Sequence, residues 1–159
     1  MDISTYIRIL TDTLMKKNKL LDDLIELNKE QEDILNLHEV DIERFDDTLN
    51  KKEKLIEQLN QLDDGFEMIY TRVQEQLTNN VAEYKVDIIV IQGLIKSIME
   101  KSANLHIKEK IIKLKFDAYL VKQKQAIKKY KMSNQTVSNY YKSMMNEYQG
   151  ESYFLDKKK

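Results

Sequence analysis

A chain of 159 residues with 3 glycines and no proline cannot turn often. Average usage would supply about 19 such residues in a chain of this length. Sandwiches, barrels and doubly wound sheets need a tight turn every 8–12 residues or so, built from residues that accept positive φ or preset it. Those folds are excluded, and long helices with few connections remain. Hydrophobic residues make up 42% and charged residues 33% of the chain. That is apolar enough to bury a stripe on each helix and charged enough to solvate the opposite face. The expected fold is all-α: an antiparallel bundle of three long helices with coiled-coil-like seams over residues 1–131, then a short amphipathic C-terminal helix and flexible tail over 132–159.

Cysteine is absent, so disulfides, thiolate zinc sites and a thiol nucleophile are excluded. The composition fits a reducing compartment. Met1-Asp2-Ile3-Ser4-Thr5 has neither a basic n-region nor a long apolar run, so no signal peptide is expected. The most apolar stretch, Val86 to Met99, is 14 residues long and contains Asp87, Gln92 and Lys96. A membrane span needs about 20 apolar residues, so this stretch reads as a buried helix segment without membrane insertion.

Steps of four and three from Ile3 trace the first helix, over about Ser4–Asn36: Ile7, Leu10, Leu14, Lys17, Leu21, Leu24, Asn28, Gln31 and Leu35. The stripe changes phase at Leu37-His38-Glu39-Val40-Asp41, where Asp41 offers an N-cap and a short loop makes the next helix antiparallel. The second helix, about Ile42–Thr78, carries Phe45, Leu49, Lys52, Ile56, Leu59, Asp63, Phe66, Tyr70, Val73 and Leu77, and stops at Asn79-Asn80. Gly65 inside it marks a kink or a close helix crossing. The third helix runs from about Val81 or Val86 to Lys131, with room for a bend near Ser102-Ala103-Asn104. Its seam is Ile91, Ile95, Ile98, Ser102, Leu105, Glu109, Ile112, Phe116, Tyr119, Gln123, Ile127 and Tyr130. The β-branched run Val86–Ile91 is not read as a strand, because no second strand exists to pair with it. Charge is divided along the chain: residues 1–79 carry 19 acidic and 10 basic groups, residues 80–159 carry 8 and 16. Oppositely charged helices packed together attract.

Little here carries chemistry. His38 and His106 are far apart, and His106 with Glu109 at i+3 is a single weak pair, so no metal and no cofactor is expected. Lys17, Asn28, Gln31, Lys52, Asp63 and Glu109 interrupt the seams. They read either as a buried polar network or as polar positions that set helix register. No phosphate-binding Gly-rich loop, nucleophile elbow or paired inward carboxylates appear, so no enzymatic activity is expected. Lys108, Lys110, Lys113, Lys115, Lys122, Lys124, Lys128, Lys129 and Lys131 form a basic run against Glu109 and Asp117. It lacks the arginines that read bases, and its lysines fall on wet faces, which weighs against nucleic acid. Tyr140, Tyr141, Tyr148, Tyr153 and Phe154 crowd the last twenty residues, with Met144 and Met145 among them. They read as a partner contact or as a last helix packed back on the bundle.

Several segments resemble the FlgN family of flagellar export chaperones. Leu20-Leu21-Asp22-Asp23-Leu24-Ile25-Glu26-Leu27 is similar to that family's Leu-rich first helix. Leu37-His38-Glu39-Val40-Asp41 resembles its short loop, and Lys51-Lys52-Glu53-Lys54-Leu55-Ile56-Glu57-Gln58-Leu59 its second helix. Gln92, Ile95, Ile98 and Glu109 are similar to the third helix of clostridial-type members. Tyr140-Tyr141-Lys142-Ser143-Met144 and Tyr153-Phe154-Leu155-Asp156-Lys157-Lys158-Lys159 resemble their tails. The resemblance implies a cytoplasmic, non-catalytic helical bundle. Such a protein binds the amphipathic C-terminal helices of hook–filament junction proteins, prevents their premature association and delivers them to the type III export gate.

In that role Ile112, Phe116, Tyr119, Leu120 and Ile127 are the candidate client anchors, at helix-in-groove spacing. Tyr140, Tyr141, Met144 and Tyr148 are the candidate second contact, either to the export gate or as a cover for the groove when no client is bound. The alternatives are a structural coiled coil or tether that buries its stripes by self-association, and a non-specific nucleic-acid binder using the lysine-rich third helix.

Overall fold

The computed structural model describes residues 2–123 and 136–143. They form four helices: α1 Ile3–Asn36, α2 Ile42–Asn79, α3 Lys85–Gln123, and a short α4 over 136–143. No strand occurs among the described residues, and Val86–Ile91 lies inside α3. Helix starts are fixed by side chains that accept otherwise orphaned amides. Asp2 Oδ1 takes the Thr5 N–H at 2.9 Å and Asp41 Oδ1 takes the Arg44 N–H at 3.1 Å. The first connection, 37–41, begins where Leu37 turns to extended backbone, φ −68° and ψ 149°. The second needs no glycine because it is itself hydrogen-bonded. Asn80 O accepts from Glu83 N and Tyr84 N, and Tyr84 O accepts from Ile88 N at 2.8 Å, leading straight into α3.

α1 is the central helix. It packs along both α2 and α3, which approach each other far less closely. Lys17 of α1 pairs with Asp63 of α2, while Gln31 meets Thr48, so these two helices run antiparallel. Against α3 an offset of 79 residues recurs, in Ser97 Oγ donating to Asn18 Oδ1 at 2.8 Å and Lys115 Nζ donating to Asn36 Oδ1 at 2.9 Å. α3 therefore runs parallel to α1 in an up-down-up arrangement. Ion pairs follow the division of charge along the chain: Lys101–Asp22 at 2.9 Å and Lys108–Glu32 at 3.1 Å join basic α3 to acidic α1. Exposed pairs of this kind contribute about 0–1 kcal/mol each, against roughly 1.5–3 for each large apolar side chain fully buried. The core supplies stability; the ion pairs favour one register.

That core has two parts. The larger gathers Leu10, Leu14, Leu21, Leu24, Leu59, Phe66, Ile91, Ile95 and Leu105 with Val137 and Tyr141 of α4. Residues 136–143 thus share one core with the long helices. The smaller part is Ile34, Phe45, Leu49, Ile112, Phe116 and Leu120, with the Phe45 and Phe116 rings stacked at 4.7 Å.

Gly65 is exposed inside an unbroken α2, and a Cβ placed there would meet nothing within 4 Å, so it does not mark a close helix crossing. α3 is likewise continuous through Ser102–Asn104. There Ser102 Oγ donates to Ile98 O at 2.6 Å instead of interrupting the helix. The stretch from Gln123 to Lys131 and the expected tail, 144–159, lie outside the described residues, save Gln123 itself.

Candidate functional site

The two apolar cores are separated by a buried polar layer to which all three long helices contribute. Lys52 of α2 reaches across to Glu109 of α3 and also donates to Gln31 Oε1 of α1 at 3.0 Å. Gln31 Nε2 donates to Thr48 Oγ1 at 2.9 Å, and Thr48 Oγ1 donates to Phe45 O. Every one of these side chains is buried. Burial lowers the Lys52 ammonium below the usual lysine range, while the charge of Glu109 and its hydrogen bond pull it back up. A buried pair of this kind returns its desolvation cost only when its remaining polar atoms are satisfied; Gln31 gives Lys52 a second acceptor and is itself held by Thr48. The layer joins three helices at one level. Its groups are engaged with one another, which suits it to hold the helices in register.

Of the polar seam residues, Lys52, Gln31 and Glu109 meet in this layer. Lys17 and Asp63 pair separately, near the middle of α1 and α2. Asn28 is buried with both side-chain polar atoms lacking a hydrogen-bond partner among the described residues. Sequence reasoning missed Thr48, which belongs to the polar layer, and Asn18 and Ser97, which form a separate link between α1 and α3. Thr48 lies beside the seam residue Leu49, and Asn18 beside Lys17, so stepping strictly along one row passes over them.

α4 packs on the larger core, with Asp63 of α2, Lys17 of α1 and Glu109 and His106 of α3 as neighbours. Tyr140 Oη donates to Asp63 Oδ2 at 2.6 Å, and Lys17 Nζ sits 6.0 Å from the Tyr140 ring centroid. Tyr141 is 0% exposed and Val137 is 3% exposed. The Tyr141 hydroxyl has no hydrogen-bond partner among the described residues. Burial, and then the negative charge of Glu109, push it well above the usual tyrosine range, so it stays neutral. On the facing side of α3, burial together with the charges of Lys110 and Lys142 lowers His106, only partly offset by Glu109. The seat of α4 thus combines buried apolar contacts with a polar edge at Asp63 and Lys17, and it leaves the Tyr141 hydroxyl without a partner among the described residues, at a cost of about 1–3 kcal/mol.

The expected client anchors fall elsewhere. Ile112, Phe116 and Leu120 are not on an open groove: they are the α3 side of the smaller core, covered by Ile34 of α1 and by Phe45 and Leu49 of α2. Tyr119 is half-buried against that core, its ring 6.0 Å from Phe116. Ile127, Met144 and Tyr148 lie outside the described residues. Tyr140 and Tyr141 are both in α4, as the last-helix reading of the aromatic cluster requires. Two lysines of the basic run, Lys108 and Lys115, are spent on Glu32 of α1.

Among the described residues no group of three or more histidine, cysteine or acidic side chains is placed to hold a metal ion. Nor is any helix there long and apolar enough to cross a membrane. Two of the clefts between helices are lined mainly by charged and polar side chains, and a third, beside the 37–40 loop, is mixed. The one between α1 and α2, about 680 Å³, sets Asp23, Glu26, Glu30, Lys51 and Lys54 around Leu27 and Leu55. That is unlike the apolar enclosure of a small-molecule site. No family model, no curated protein and no solved structure matches the chain.

Proposed function

We propose that this chain is a non-catalytic export chaperone of the FlgN kind. It holds the amphipathic C-terminal helices of hook–filament junction proteins in the cytoplasm and releases them to the flagellar export gate. The observation that supports this reading is the seat of α4. A short helix of the chain is seated on the larger core through Val137 and Tyr141, and the buried Tyr141 hydroxyl finds no hydrogen-bond partner among the described residues. A segment held this way is displaceable by a client helix that fills the same seat with better-matched apolar anchors. Unassembled amphipathic helices expose an apolar stripe and aggregate, and covering that stripe is the service such a seat performs. Delivery requires release, so the client affinity belongs in the micromolar to nanomolar range, roughly −8 to −12 kcal/mol.

The test is calorimetry of the full chain with a peptide spanning the C-terminal helices of a junction protein from the same organism. A saturable complex with negative heat-capacity change is expected. Tyr141→Ala weakens the competing α4, so the same peptide binds the variant at least tenfold more tightly. Absence of binding to both the parent chain and a folded Tyr141→Ala chain ends the reading.

A further inference from the structure

α3 carries a second seam, opposite the one that faces the core. Ile107, Ile111, Leu114, Ala118 and Val121 follow one another at steps of four, three, four and three, the spacing of coiled-coil a and d positions. Ile107 is 57%, Leu114 70% and Val121 76% exposed; Ala118 is exposed and Ile111 half-buried. Between them lie Glu109, Ile112, Phe116 and Leu120, all buried on the other side. A helix with apolar residues on two opposite faces is normally covered on both, and α1 and α2 cover only one. Isolated exposed apolar residues need no explanation, but five in heptad register over four turns form a continuous stripe.

The charge beside the stripe selects its occupant. Over 107–123, α3 bears Lys108, Lys110, Lys113, Lys115 and Lys122 against Asp117 and the inward-facing Glu109. Lys108 and Lys115 pair with Glu32, whereas Lys110, Lys113 and Lys122 form no ion pair among the described residues. A second copy laying the same stripe against this one in a two-fold contact would set lysine against lysine. The stripe is narrow and aliphatic, and the opposite face of α3 is buried apolar core instead of the strongly polar face of a helix lying in a lipid interface. We infer that the outer face of α3 docks a partner helix whose own apolar seam is flanked by acidic side chains. This surface is distinct from the seat of α4 and does not depend on it.

The probes are two synthetic helical peptides of about three heptads with Leu and Ile at a and d, one with Glu and the other with Lys at all e and g positions. Titrated into the full chain, the Glu peptide binds saturably and at least tenfold more tightly than the Lys peptide. Leu114→Asp weakens it tenfold or more while leaving helicity and melting temperature unchanged, as expected for a side chain mostly in solvent. Lys110→Glu with Lys122→Glu reverses the preference between the peptides. Equal affinity for both peptides, or binding that Leu114→Asp leaves intact, overturns the inference. So does a self-associated state in light scattering that Leu114→Asp dissociates, which would give the stripe to a second copy. Tighter binding to phosphatidylglycerol vesicles than to the Glu peptide, lost in Leu114→Asp, assigns it to a membrane surface and overturns it equally.

Discussion

At the scale of single residues, the chain places charge where charge is expensive. Lys52 and Glu109 sit between two apolar cores, and neither is tolerable there without the other. Glu109→Gln leaves a lysine buried with only Gln31 for company and should cost about 3–5 kcal/mol in urea unfolding. Lys52→Met combined with Glu109→Leu removes both charges and should be near neutral or stabilising by about 1–4 kcal/mol. A double variant as unstable as the single one would show that the layer supports the fold through more than charge pairing. These residues were legible as interruptions in apolar seams, but their partners were not. Pairing Lys52 with Glu109 depends on the relative height of α2 and α3, which is set through α1, a third helix that neither residue belongs to. That the amide of Asn28 and the hydroxyl of Tyr141 find no partner among the described residues was invisible for the same reason, since satisfaction is a property of surroundings and not of spacing.

At the scale of elements, periodicity and punctuation located the three long helices closely. Both the loop at 37–41 and the Asp41 cap stand where the phase change put them. The start of α3 at Lys85 falls between the two expected positions, because the hydrogen-bonded turn at 80–84 already resembles helix. The first seam drifts as well: its last buried residue is Ile34 rather than Leu35. A helix turns every 3.6 residues, so steps averaging 3.5 slip by about 20° per heptad. On α3 one row was traced and read both as seam and, at Ile112 and Phe116, as a docking surface; those residues are core, and the outer row through Ile107, Leu114 and Val121 was passed over. Gly65 and Gly93 are the residues whose helical setting is least explained by packing, since a methyl group at either would meet nothing. Gly65→Ala and Gly93→Ala should each stabilise by about 0.5–1 kcal/mol, additively, in thermal or urea melts. A loss of stability in either would mean that the glycine's conformational freedom is used.

At the scale of the whole molecule, the polar layer divides the bundle into units of unequal strength. Among the described residues the smaller core rests on six buried side chains and the larger on eighteen. In native-state hydrogen exchange, amides beside Ile34, Phe45, Leu49, Ile112 and Phe116 should open together at lower free energy than those beside Leu14, Leu24, Leu59 and Ile95. The Lys52→Met, Glu109→Leu chain should close that gap by joining the two cores. Uniform protection from end to end in the parent chain would refute the division. The central position of α1 has a further consequence, in time rather than in space. One flank of α1 can be sheathed as soon as α2 follows it, but the other must wait for α3, whose last described residue, Gln123, comes 87 residues after Asn36. At about 5–20 residues per second, a nascent chain carries that flank uncovered for roughly 4–17 s. During that interval the protein is itself an unassembled amphipathic hairpin in need of shelter.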